Sequence, residues 1–483
     1  MAERYSLLIR NGTVIDGTRA PRHEADVAVR DGRIAGIGRL VGARADREID
    51  AEGKIVAPGF IDAHTHDDRL MLSAPDMAPK VSQGVTTVVA GNCGISLAPA
   101  PHGMRAPVPV PLDLLDDEGA WFRYRSFPEY VAALRDAPAA TNCVLLVGHS
   151  MLRVQTMDNV ERTAGAAEIR RMRALVDEAL QAGAAGVSTG LYYEPAAAAS
   201  TEEVIEVCRP LTAHRGLYCT HLRDEGDKVL ESLEESFRIG RQLGVPVVIS
   251  HHKVAGKPNH GRSAETLPAI ERAMRAQAVS LDCYPYCASS TVLSYGRTLG
   301  ASKTLVTWSR PHPELAGMEL GDIARKMSLS VEQAVEKLLP AGAIYFSMDE
   351  ADVQRILAFE HTMVGSDGLP HDAAPHPRLW GTFPRVLGHY ARGLNLFPLE
   401  TAVYKMTGLT AQTFGLARRG VLKEGCAADM VVFDAAEVDE GASFAQPIRP
   451  AKGIDTVIVN GSIVWHAAGP TGARPGRVLT RSG

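Results

Sequence analysis

Six side chains of metal-binding type are spread along this chain at positions where they could converge. His64-Thr65-His66 places two imidazoles two residues apart, while Cys93, His221, His251 and Asp367 each close a short apolar run. Neighbours at i and i+2 in extended backbone share a face, so His64 and His66 can grip one ion. Imidazole, thiolate and carboxylate are the ligands Zn²⁺ prefers. Zinc lowers the pKa of bound water to about 7. A carboxylate beside it, such as Asp367, can take that water's proton and pass it to a leaving group. The expected chemistry is metal-assisted hydrolysis. A formal Gly-x-Ser-x-Gly at 186–190 offers a rival, with Ser188 as the nucleophile of a strand-to-helix elbow. That reading leaves the histidines, cysteine and aspartate without a purpose.

The runs that carry these residues set the architecture. Val56–His66, Val85–Cys93, Cys143–Ser150, Ala184–Gly190, Leu217–Leu222, Pro246–His252, Ala278–Tyr284 and His361–Asp367 alternate with helical patterns such as Ala166–Ala182, Glu202–His214 and Lys228–Leu243. Continuous apolar runs suit parallel strands covered on both faces. Eight such units predict an α/β fold, a TIM (β/α)8 barrel, in which the C-terminal strand ends gather the active-site residues. Both ends of the chain instead carry short β-segments with hairpin signals at Asn11-Gly12, Asp31-Gly32 and Asn460-Gly461. Residues 1–60 and 415–483 are therefore expected to build one small β-sandwich domain. Residues 61–414 would form the barrel, and 285–350, with its own strand near Ala343–Met348, a lid insertion after strand seven.

Composition bounds the partners. Lys+Arg total 51 against Asp+Glu 56 in 483 residues, a net charge of −5, which gives no support to nucleic-acid or anionic-membrane binding. No apolar stretch approaches the roughly 20 residues of a membrane span. Seven cysteines in no disulfide-framework spacing suggest a reducing, cytoplasmic setting. The expected partner is a small-molecule substrate, with the chain a monomer or small homo-oligomer.

The sequence resembles the amidohydrolase superfamily from Ala57-Pro58-Gly59-Phe60-Ile61-Asp62-Ala63-His64-Thr65-His66 to Gly365-Ser366-Asp367. More narrowly it resembles the N-acyl-D-amino-acid deacylases (D-aminoacylases), through Gly91-Asn92-Cys93-Gly94, Ser188-Thr189-Gly190-Leu191, Thr220-His221-Leu222-Arg223-Asp224-Glu225, Ser250-His251-His252-Lys253, Tyr284-Pro285-Tyr286 and the stretch from Pro377 to Arg385. The fourth strand lacks the lysine that bridges two metals in many superfamily members; by the resemblance, Cys93 supplies the anionic ligand instead. The resemblance implies zinc held tightly by Cys93, His221 and His251, a second and weaker site at His64, His66 and Asp367, and Asp367 as the catalytic acid/base. It implies Tyr193 polarising the scissile carbonyl, and Lys253, Tyr284, Ser290 and Arg378 binding the substrate α-carboxylate. Tyr192, Tyr345 and Met348 match side-chain-pocket positions. Arg297 matches an arginine of the D-glutamate-acting members, which tilts the expected substrate to N-acyl-D-glutamate, with neutral N-acyl-D-amino acids as the alternative. His252 is expected to point away from the metal, and Arg223 to pair with a carboxylate near the ligands. A cyclic-amide hydrolase of the dihydropyrimidinase kind remains a further alternative on the same fold.

Overall fold

The computed structural model describes residues 4–482. Eight parallel strands lie side by side: Phe60–Asp62, Val85–Ala90, Asn142–Gly148, Gly186–Gly190, Leu217–His221, Val247–Ile249, Val279–Cys283 and Thr362–Val364. The eighth meets the first through Ala63 N–H, which donates to Val364 O at 3.1 Å, and through a parallel bridge between Thr65 and Gly368. The sheet thus closes into a barrel. Its strands are rich in apolar residues because both faces are buried: Val144 and Leu146 fall in the cluster with Leu217, Val248 and Met363, whereas Leu145 and Val147 pack in the larger cluster with the surrounding helices.

The helices follow their local signals. Ala166–Gln181 is one helix; the 202–214 pattern is two, Thr201–Cys208 and Pro210–His214, because Pro210 has no amide proton to continue the ladder. Val229–Leu243 ends at Gly244, which takes the left-handed cap conformation.

Strands from both ends of the chain share one nine-stranded sheet. Met430–Phe433 pairs antiparallel with Ile55–Pro58 on one side and with Ile454–Val459 on the other. Arg4–Val14, His23–Arg30 and Arg33–Gly38 extend the sheet in one direction, Ser462–His466 in the other. The sheet folds over its own core, since Val27 and Ile34 from one wing pack in the same cluster as Val432 and Ile458 from the other. Two of the expected hairpins form, at Asp31-Gly32 and Asn460-Gly461. The third does not. Asn11-Gly12 lies inside the single strand Arg4–Val14, where the register to His23–Arg30 slips between Ile9 and Gly12 and Asn11 takes φ +58°. The residue pair that suits a tight turn serves here as a bulge. The last strand, Val478–Leu479, leaves this sheet altogether and pairs with the barrel strand Asn142–Gly148.

Between the seventh and eighth barrel strands, Ala288–Val292, Thr304–Ser309 and Ala341–Phe346 form a three-stranded antiparallel sheet. It is backed by helices Leu320–Met327 and Val331–Leu338 and has its own core around Val306, Ile323 and Val335.

Candidate metal centre

The barrel brings all six sequence-predicted donors together. His64, His66, Cys93 and Asp367 form one group and Cys93, His221 and His251 another, with the ligand atoms of each within 4.8 Å. Cys93 belongs to both, its Sγ 3.3 Å from His64 Nε2 and 3.2 Å from His251 Nε2. Asp367 Oδ1 lies 3.2 Å from His66 Nε2 and 3.6 Å from His64 Nε2.

Backbone conformation aims three of these donors. Cys93, His251 and Asp367 adopt φ of +55°, +36° and +51°, a region that costs a non-glycine residue of order 1–3 kcal/mol and persists where the surroundings enforce it. Strand alternation counted inward from Val248 would aim His252 into the barrel. The left-handed turn at His251 reverses this, and His252 points outward, its Nε2 2.9 Å from Thr266 Oγ1.

Burial shapes the electrostatics. It pushes the imidazoles of His64 (to about 3), His221 and His251 down, so that each is neutral with a free lone pair. It pushes the Cys93 thiol up. Burial works to raise Asp367, but the Arg378 guanidinium, with Nη1 2.9 Å from Oδ2, acts together with His251, His66 and His64 to hold the carboxyl well below its usual range. Both ring nitrogens of His221, and Nδ1 of His64 and of His66, have no hydrogen-bond partner among the described residues. Such orphaned buried atoms cost about 1–3 kcal/mol each, and a cation at the centre would satisfy the ring nitrogens that face it. The donor set fits zinc.

Other anticipated residues line the same space. Tyr193 is buried beside His221 (ring centroids 4.9 Å apart), its hydroxyl 3.0 Å from Thr291 Oγ1. Tyr284 lies between two cations, with Arg378 Cζ 4.6 Å and Lys253 Nζ 5.5 Å from its ring centroid. Arg378 is completely buried and donates to Ser290 O, while Ser290 Oγ has no partner among the described residues. Arg297 stacks over Tyr192, Cζ 4.1 Å from the ring centroid, and lines both the small metal pocket and a 340 Å³ cavity that Tyr192 and Tyr345 also line. Met348 is not in that cavity. It packs with Tyr284 and Tyr286, in a small pocket that His252, Lys253 and Cys283 also line.

Two carboxylates central to the site escaped the sequence reading. Glu225 Oε1 accepts from Lys253 Nζ at 2.6 Å and lies 3.1 Å from His251 Nδ1. Burial raises its pKa, but Lys253, His221 and His251 together pull it well below the usual range. If His251 binds metal through Nε2, its proton sits on Nδ1 and Glu225 is its acceptor. Asp282 accepts from the His251 amide at 2.9 Å and stands 3.5 Å from His64 Nδ1. Glu225 follows His221 by four residues, a spacing visible in the sequence. Arg223 pairs with Glu235 at 2.8 Å. Beneath the site a fully buried Lys80 binds Asp62 (2.9 Å) and Ser366 (2.8 Å). Ser188, the rival nucleophile, is occupied as a strut, accepting from Gly94 N–H and donating to Gly91 O.

A parallel (β/α)8 barrel with a mixed His/Cys/Asp centre at its strand ends defines a class of hydrolase. The description "Amidohydrolase family" matches residues 47–282 and 322–465, and the chain belongs to that family. It is 59% identical over 481 residues to a D-aminoacylase from Alcaligenes xylosoxydans xylosoxydans, spanning 100% of this chain and 99% of that one. An N-acyl-D-aspartate deacylase of the same organism is 52% identical over 98% of this chain and 94% of its own. The crystal structure of an N-acyl-D-glutamate deacylase from Bordetella bronchiseptica, complexed with zinc and a phosphonate mimic of the tetrahedral intermediate, superposes with a TM-score of 0.95 at 46% identity, over 99% of this chain and 100% of that one. Within the amidohydrolases the chain is one of these N-acyl-D-amino-acid deacylases.

Proposed function

We propose that the protein hydrolyses the amide bond of N-acyl-D-amino acids, releasing a carboxylate and a free D-amino acid, with zinc as its metal. The observation that carries this reading is the joining of two sites: a six-donor centre sharing Cys93, and beside it the buried Lys253–Tyr284–Arg378 group, shaped for an α-carboxylate. Cys93, His221 and His251 would hold the tighter ion; His64, His66 and Asp367 would form the weaker site. When bound, zinc polarises the carbonyl and makes water a better nucleophile at neutral pH.

The chain's own groups supply the rest. Asp367, ionised beside Arg378, takes the proton of the attacking water and delivers it to the departing amine. Tyr193, kept protonated by burial, donates to the developing oxyanion. Arg378, with Ser290 and Tyr284, orients the substrate carboxylate, and a planar guanidinium suits that bidentate task. Lys253 adds charge, tempered by its bond to Glu225.

For the side chain we infer an acidic residue, glutamate first. Arg297 faces the 340 Å³ cavity with an Nε that has no partner among the described residues. A second reading, a neutral side chain, is supported by the tyrosine walls and by the 59% identity to the D-aminoacylase. A panel of N-acetyl-D- and L-amino acids, assayed with zinc quantified in the same sample, tests the proposal. Turnover of D-substrates alone is expected, lost on chelator dialysis and restored by zinc. Chelator-resistant activity, or turnover of L-substrates only, would overturn it.

A further inference from the structure

The metal pocket has a neighbour on each side. Arg297 and Glu225 are shared with the 340 Å³ cavity; Leu114 is shared with a second cavity of 420 Å³ on the other side. An N-acyl amino acid is likewise two-ended, with the reacting carbon between its amino-acid part and its acyl part. If the side chain enters the first cavity, the acyl group runs towards Leu114.

The second cavity is strongly acidic. Asp113, Asp116, Asp117, Glu118 and Asp372 line it, against Arg69 and Arg310. Both arginines are engaged, Arg69 with Asp116 at 3.2 Å and Arg310 with Asp117 at 2.7 Å. His371 adds no charge, because burial and then Arg69 lower it to about 3. Asp113 and Asp372 are 6% and 7% exposed, and Asp113 Oδ1 and Asp372 Oδ2 have no hydrogen-bond partner among the described residues. Burial pushes both carboxyls up to about 7, Asp372 despite the Thr307 hydroxyl and Arg378. Neither carboxyl has an ion-pair partner among the described residues, which makes both expensive to keep buried, and hydrolysis of the amide does not call on them. Trp308, on the lid, supplies an aromatic wall of the kind that attracts ammonium groups.

We propose that this cavity receives the acyl end of the substrate and selects acyl groups that terminate in an ammonium. The proposal rests on the deacylase reading and adds an acyl specificity to it. The acyl chain passes Leu114, and its cationic end lies between Asp113 and Asp372. Hydrolysis is unchanged in balance: water adds across the amide, giving the amino acid and an ω-amino carboxylate.

The test compares N-(6-aminohexanoyl)- with N-heptanoyl-D-amino acid, which differ by an ammonium in place of a methyl. The expected kcat/KM ratio favours the ammonium by about tenfold or more, one well-placed ion pair. In Asp113→Asn/Asp372→Asn the ratio should fall towards one; because it is taken within each variant, a general loss of activity does not enter. A wild-type ratio of one or less, or an unchanged ratio in the double variant, overturns the proposal. Hexylamine serves as a hydrolysis-independent probe, expected to raise the thermal midpoint of the wild type and not of the double variant; no shift in the wild type counts against the site. Failure to cleave any N-acyl-D-amino acid would instead defeat the deacylase reading, with the hexylamine arm still deciding the cavity.

Discussion

Asp367 meets two partners through its two oxygens, the histidines through Oδ1 and Arg378 through Oδ2. Replacing it with asparagine keeps the shape and removes the base. Asp367→Asn should retain zinc at Cys93, His221 and His251 yet lose at least about 10²-fold in kcat, measured by metal analysis and steady-state rates on one sample. Arg297→Leu should raise the rate on N-acetyl-D-methionine relative to N-acetyl-D-glutamate, and an unchanged ratio would remove Arg297 from specificity. At this scale the donor types were legible in the sequence because metal chemistry restricts them to few residue kinds at strand ends. Glu225 and Asp282 were not, because a carboxylate that orients an imidazole is recognised only by where its loop places it. The direction of Met348 is likewise set by its loop: its side chain turns towards Tyr284 and not into the cavity beside Tyr345.

The loop after the second barrel strand shows how an element imposes geometry on a ligand. Gly91 and Gly94 flank Cys93 at φ +85° and +75°. A Cβ on Gly91 would sit 2.1 Å from Leu146 O, so the neighbouring strand's backbone would have to move. Gly91→Ala should displace Cys93, lower zinc content per chain, and cost roughly 1–3 kcal/mol in urea unfolding. In the acidic cavity, Asp113 and Asp372 make a pH prediction. Their folded-state pKa values of about 7 lie above the ordinary carboxyl value near 3.8. Between those pH values the folded protein binds more protons than the unfolded one, so stability falls as pH rises through that window. Asn at both positions should flatten this slope in thermal melts across pH 4–8. Strand and helix existence was readable from period and punctuation. The Asn11-Gly12 bulge was not, since a left-handed pair serves a turn or a bulge equally well and only the partner strand decides.

Across the whole molecule, the last residues act as a clasp. Gly476 N–H donates to Ala139 O, Cys143 N–H to Arg477 O, and Ser482 N–H to Gly415 O, while Arg481 binds Thr413 O. These bonds join the third barrel strand, the helix Gly408–Phe414 and the chain end. At about 1 kcal/mol each, deleting residues 474–483 should lower the thermal midpoint by at least about 5 °C, with the β-domain strands themselves intact.

The sheet assembled from both ends also sets a timetable for synthesis. Ile55–Pro58 leaves the ribosome early, but its partner Met430–Phe433 follows about 370 residues later. At roughly 5–20 residues per second that is a wait of about 20–75 s, during which an apolar strand stands with one edge open. The barrel can form in that interval, whereas the N-terminal strands cannot finish their sheet. A nascent chain stalled before residue 430 should therefore expose those first strands to proteases and to holding chaperones, and release from the stall should protect them.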